Sequence, residues 1–198
     1  MAQLVFTEEQ LKTLIKGEMI GELYPYNTND KQAVLNYIKI IQAEIARIPN
    51  VHCEPDRLDF GSGYASYVEW SIYTDNEVEV SENHDLRTIE KEGLMVDISL
   101  LSPVILIGTG SKSDTIRIET DEKIGGGKTF FSQVADLEIP EKYAALKSIV
   151  ERIFMKHHYT ILQKEDVTPR LPFKAEIPTL LRDPHEYLIW DAIFYWED

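Results

Sequence analysis

The order in which hydrophobic periods follow one another limits the fold of this chain more than any other feature. Helical spacing comes first, strand-type alternation fills the middle, and helical spacing returns once before the C-terminus. Strands therefore do not alternate with helices, as a parallel sheet with crossover helices would require. The order predicts an α+β fold, with a mainly antiparallel sheet of about five to seven strands and helices packed on one face.

Thr7-Glu8-Glu9-Gln10 is a capping-box pattern. Leu11, Leu14 and Ile15 follow at helical spacing, and the helix is expected to end near Gly17 or Gly21. A second helix starts at Asn29 or Asp30. Val34, Ile38, Ile41, Ile45 and Ile48 form its apolar stripe, and Pro49-Asn50 stops it. In Tyr64–Thr74, alternation places Val68, Trp70 and Ile72 on one face and Tyr67, Glu69 and Ser71 on the other. Glu77-Val78-Glu79-Val80 alternates as well. Leu94, Val96, Ile98 and Leu100 alternate with Met95, Asp97 and Ser99, and Val104–Ile107 reads as a buried strand. Gly108–Asp114 and Gly125-Gly126-Gly127 read as turns, leading into strands at Thr115–Thr120 and Lys128–Val134. Pro140 opens a third helix with Tyr143, Leu146, Val150 and Ile153 on its stripe. Its end near His157-His158 suits the negative end of the helix dipole. Tyr187–Trp196 reads as a closing strand.

At 198 residues the chain is expected to form a single domain spanning 1–198. That length buries roughly 70% of the unfolded surface, so no disulfide or metal staple is needed. The lone cysteine, Cys53, cannot form an internal disulfide and points to a reducing compartment. The N-terminus lacks a basic region followed by an apolar core. The longest apolar runs fall short of the ~20 residues of a spanning helix. A cytoplasmic location, with no membrane partner, is the expectation.

Several short patterns approach known chemistry and miss. Gly108-Thr109-Gly110 follows an apolar strand, as a dinucleotide loop does, but the third glycine position is Ser113 and no helix follows to hold a phosphate. Gly127-Lys128-Thr129 matches the end of a P-loop, but the earlier glycine position is Glu122, whose carboxylate repels phosphate. Gly61-Ser62-Gly63 reads as a turn. His52-Cys53 carries no mark of a nucleophile, and adjacent His157-His158 diverge rather than chelate. No cofactor, metal or catalytic residue is predicted, and the chain is expected not to be an enzyme.

The net charge is -14, from 34 acids and 20 bases. A surface of that sign repels nucleic acid and attracts basic proteins. Between Leu58 and Ser99 the acids are Asp59, Glu69, Asp75, Glu77, Glu79, Glu82, Asp85, Glu90, Glu92 and Asp97, against only Arg87 and Lys91. Glu69 lies beside Trp70, Asp97 between Val96 and Ile98, and Asp191 beside Trp190, all inside apolar patterns that disfavour carboxylates. If helices cover one sheet face, these acids share the other. The expected partner-binding residues are therefore Glu69, Glu77, Glu79, Asp97 and Asp191, with Trp70, Trp190 and Trp196 as aromatic anchors. In size, acidity, α+β makeup and single cysteine, the chain resembles immunity proteins that neutralise a basic toxin domain. That resemblance is one of composition and transfers no residue roles. The alternatives are a hydrolase with a carboxylate-based site and a small-molecule-binding accessory protein.

Overall fold

The computed structural model describes residues 5–55, 64–129, 131, 133–179 and 182–197. Asp59 and Gly61-Ser62-Gly63 lie outside the described residues. The fold is α+β, built on a seven-stranded, mainly antiparallel sheet.

Two strands of fourteen residues form its spine, β5 (Leu86–Ser99) and β6 (Val104–Arg117). Shorter strands line them in two tiers. β3 (Tyr67–Thr74) runs along the C-terminal half of β5, and β4 (Val78–Asn83) along its N-terminal half. β7 (Glu122–Lys128) pairs with the C-terminal half of β6, and β8 (Thr160–Leu162) runs parallel to its N-terminal half. β1 (Val51–Pro55) completes the inner tier beside β3. A separate ribbon joins β2 (Tyr64–Ala65) to β9 (Trp196–Glu197).

The helices begin where their caps allow. α1 (Glu8–Ile15) has both arms of its capping box, with Gln10 N–H donating to Thr7 Oγ1 at 3.2 Å and Thr7 N–H to Gln10 Oε1 at 2.9 Å. α2 (Lys31–Ile45) is capped by Asp30, whose carboxylate accepts from Gln32 N–H at 2.8 Å. Val34, Ile38, Ile41 and Ile45 are buried, as their spacing predicts. α3 (Ala144–Lys156) buries Leu146, Val150 and Phe154, and the short α4 (Lys164–Val167) buries Val167.

The inner tier is covered on both faces. α2 and α3 pack on the face of Val68, Trp70, Ile72, Val96, Ile98 and Ile105, so the two long helices share one side as expected. The opposite face, carrying Tyr67, Met95, Val104 and Leu106, meets α1, Phe131 and the C-terminal segment around Trp190 and Phe194. That second cover was not anticipated. Among the described residues, the outer tier lies outside both apolar clusters. Along β5 the residues change from exposed or half-buried to fully buried at Gly93, and β6 makes the reverse change at Thr109.

Three local expectations are corrected. Tyr187–Trp196 is not a strand: α5 (Ile189–Ile193) occupies its middle half. All five α5 residues are buried, and a uniformly buried run has no period that separates helix from strand. Gly108–Asp114 is not a turn but the middle of β6. Gly125-Gly126-Gly127 lies inside β7, where glycine is required at 126 because a Cβ there would stand 2.4 Å from the Ser113 carbonyl oxygen. The reversal comes earlier, where Asp121 takes a φ of 50°. With these glycines inside strands, neither near-miss phosphate loop leads directly into a helix among the described residues.

Candidate functional site

The residues expected to form one exposed acidic face are dispersed, and most are interior. Glu69 is 3% exposed, and Asp97 and Asp191 are fully buried. Trp70 and Trp190 are buried too. The parity read from the sequence holds, since Glu69 and Asp97 stand opposite one another on β3 and β5, with Trp70 and Val96 on the other side. What fails is the exposure. The face they share is the one closed by α1, α5 and the C-terminal segment. Lys128 Nζ meets Glu69 Oε1 at 2.8 Å. Burial, together with Asp97 and Glu69 alongside, holds the Tyr67 hydroxyl well above the usual tyrosine range.

Asp191 is held differently. Burial raises its carboxyl, against hydrogen bonds from Leu188 N–H at 2.8 Å and Arg182 at 2.6 Å. Trp190 packs edge-on against Phe131 at 5.3 Å, with the Arg182 guanidinium over its ring at 5.4 Å. Trp70 points the other way, toward Phe154 of α3. Trp196 is half-buried in the β2–β9 ribbon. Trp190 and Trp196 share the apolar cluster beneath the C-terminal segment, while Trp70 lies in the cluster on the opposite sheet face, so the three form no common exposed anchor.

Where the tiers meet, Lys91, Lys112 and Lys128 stand opposite one another across β5, β6 and β7. Directly opposed like charges repel, so the row needs acids around it. Glu54 of β1 meets Lys91 at 2.7 Å and Lys112 at 3.3 Å, and accepts from the Tyr73 hydroxyl. Asp114 meets Lys91 at 3.3 Å and also Lys123. Burial pushes the Glu54 carboxyl up, but hydrogen bonds from Lys91 and Tyr73 and the charges of Lys91 and Lys112 bring it below its ordinary value. Asp114 is lowered in the same way by Lys123 and Lys91. These charges answer one another, and the row acts as a brace. Sequence reading missed it because its members come from five strands.

The outer tier leaves charge unanswered. Its α3-side face carries Glu77 and Glu79 with Glu90 and Glu92, followed by Ser111 and Ser113 of β6. Lys142 bridges Glu77 and Glu92 at 3.1 Å each, and the Tyr143 hydroxyl donates to Glu77 at 3.2 Å. Next to them is a cleft of about 260 Å³ lined by Glu92, Thr109, Ser111, Thr129, Lys142 and Tyr143. Glu79 and Glu90 stand directly opposite one another, both exposed, with no ion pair to either among the described residues. Of the expected site residues, Glu77 and Glu79 thus remain at the surface. Glu90 belongs with them, and its signal was available: a hairpin turn at Asn83-His84-Asp85 sets Glu79 against Glu90.

Among the described residues, no group of three His, Cys, Asp or Glu side chains is placed to hold a metal ion. No helix among them is long and apolar enough to cross a membrane. Fold and surface together define an α+β protein with a two-tier sheet and an acidic face on its outer tier. Family models, curated proteins and solved structures give no match to the chain.

Proposed function

We infer that this is an intracellular, non-enzymatic binding module that recognises a basic protein through the acidic face of its outer tier. The observation that carries the reading is the Glu79–Glu90 pair. Two carboxylates directly opposed on neighbouring strands repel and are destabilising. A cation placed between them by a partner removes that cost and gains an attraction. Around them, an excess of fourteen acids provides the long-range field that steers a basic partner.

The most specific form of this reading is an immunity protein that neutralises a toxin domain of basic character, with no role in nucleic acid or membrane binding. The test starts from the gene beside this one. If it encodes a toxin with a basic domain, co-expression should rescue growth, and the two proteins should associate at a rate that falls as salt rises. Glu79→Lys with Glu90→Lys should slow that association by about tenfold. An unchanged on-rate would remove this face from consideration, and a gene set among metabolic enzymes would count against immunity.

A second reading, a carboxylate-based hydrolase, has one observation in its favour. Glu69 and Asp97 are adjacent buried carboxylates, an arrangement that keeps one of the two protonated in acid–base enzymes. Their burial beneath the C-terminal segment and the Lys128 pair weigh against it. Hydrolysis abolished by Glu69→Gln, in a protein of unchanged stability, would restore it.

A further inference from the structure

We propose that the free edge of β4 binds its partner by strand addition, taking up a strand in which cationic and apolar residues alternate. This rests on the reading that the partner is basic and specifies how it docks. β4 pairs with β5 on one side, and from Val78 to Asn83 it has no second neighbouring strand among the described residues. Such an edge offers main-chain donors and acceptors at strand spacing.

The two faces of β4 differ in character. On one, Glu79 stands beside Glu90, with Glu77 at the entry to the strand. On the other, Val80 stands beside Ile89 of β5 and is 59% exposed, while Val78 stands beside Lys91. Side chains of an added strand alternate between these faces. A residue placed beside Glu79 therefore answers the acid pair if it is Lys or Arg. Its neighbours, beside Val78 and Val80, cover exposed apolar surface if they are apolar. A wholly cationic segment leaves Val80 in water, and a wholly apolar one leaves Glu79 and Glu90 opposed. A second copy of this chain is a poor occupant for the same reason. Edge-to-edge pairing of two β4 strands sets Glu77, Glu79 and Glu82 of one copy against those of the other.

The test uses the full chain and two peptides of equal composition, Lys-Val-Lys-Val-Lys-Val-Lys and Lys-Lys-Val-Val-Val-Lys-Lys. Amide hydrogen exchange is followed residue by residue by NMR. The alternating peptide should slow, by about tenfold near saturation, the β4 amides that do not bond to β5, while the blocked peptide leaves them unchanged. Val80→Lys, a change at an exposed site, should remove that protection. Equal, salt-sensitive binding of both peptides without protection of β4 overturns strand addition and leaves the basic-partner reading standing. Failure of both peptides to bind at low salt overturns the two together. A dimer that protects β4 without peptide also overturns the proposal, making a second copy the occupant.

Discussion

Glu79 and Glu90 hold two carboxylates opposite one another on exposed strands with no cation between them. Replacing one with the opposite charge should therefore stabilise the free protein. Glu79→Lys is expected to raise the unfolding free energy by about 0.2–1 kcal/mol, read from urea denaturation. The same change should weaken capture of a basic partner. Stability gained as binding is lost would mark the pair as retained for function. Cys53 behaves in the opposite manner, as an inert, half-buried group. Burial, with Glu54 alongside, pushes its thiol up to about 12. Little thiolate then forms near neutral pH, so labelling by iodoacetamide should be far slower in the folded protein than in urea.

Among the elements, α5 depends on a single side chain. Asp191 accepts from Leu188 N–H at the helix start and pairs with Arg182. Asp191→Ala removes both and takes away the buried counter-charge of the guanidinium, at an expected cost of about 3–5 kcal/mol by calorimetry or urea unfolding. Asp191→Asn keeps an acceptor for Leu188 and should cost less. The sequence showed Asp191 inside an apolar run but not which element held it. A carboxylate three residues into a helix looks the same, in a short buried run, as one on a strand. The capping box of α1 and the stripe of α2 were legible because each is complete within a few turns.

At the scale of the whole molecule, the lysine–carboxylate brace couples the two tiers to pH. Glu54 and Asp114 titrate below their ordinary values of 4.5 and 3.8 in the folded protein. A lowered folded-state value means the unfolded chain takes up the proton first. The stability these acids supply is thus present in full above those ordinary values. It is lost as pH falls through them toward the folded-state values. Urea unfolding measured between about pH 6 and pH 3 should show that loss in the native chain. Lys91→Met should lower stability at neutral pH and flatten the fall. An equally steep fall in the variant would show that the brace is not its source. Added salt should raise the melting temperature as well, since it screens the repulsion of a chain carrying -14.

By itself the sequence determined the periods: helices at α1, α2 and α3, an antiparallel middle, and the parity that sets Glu69 and Asp97 opposite Trp70 and Val96. Those are local properties, fixed by spacing along a few residues. Which parity meets water was decided only by tertiary structure. The Ser66 hydroxyl donates to the Ile193 carbonyl at 2.9 Å and accepts from Tyr195 N–H at 2.8 Å, fastening the C-terminal segment beside the start of β3. With that segment fixed over the inner tier, Glu69 and Asp97 became interior. Glu79 and Glu90 stayed outside because the two apolar clusters end on β5 at Leu94 among the described residues. Contacts more than a hundred residues apart in the chain leave no local period from which such a choice can be read.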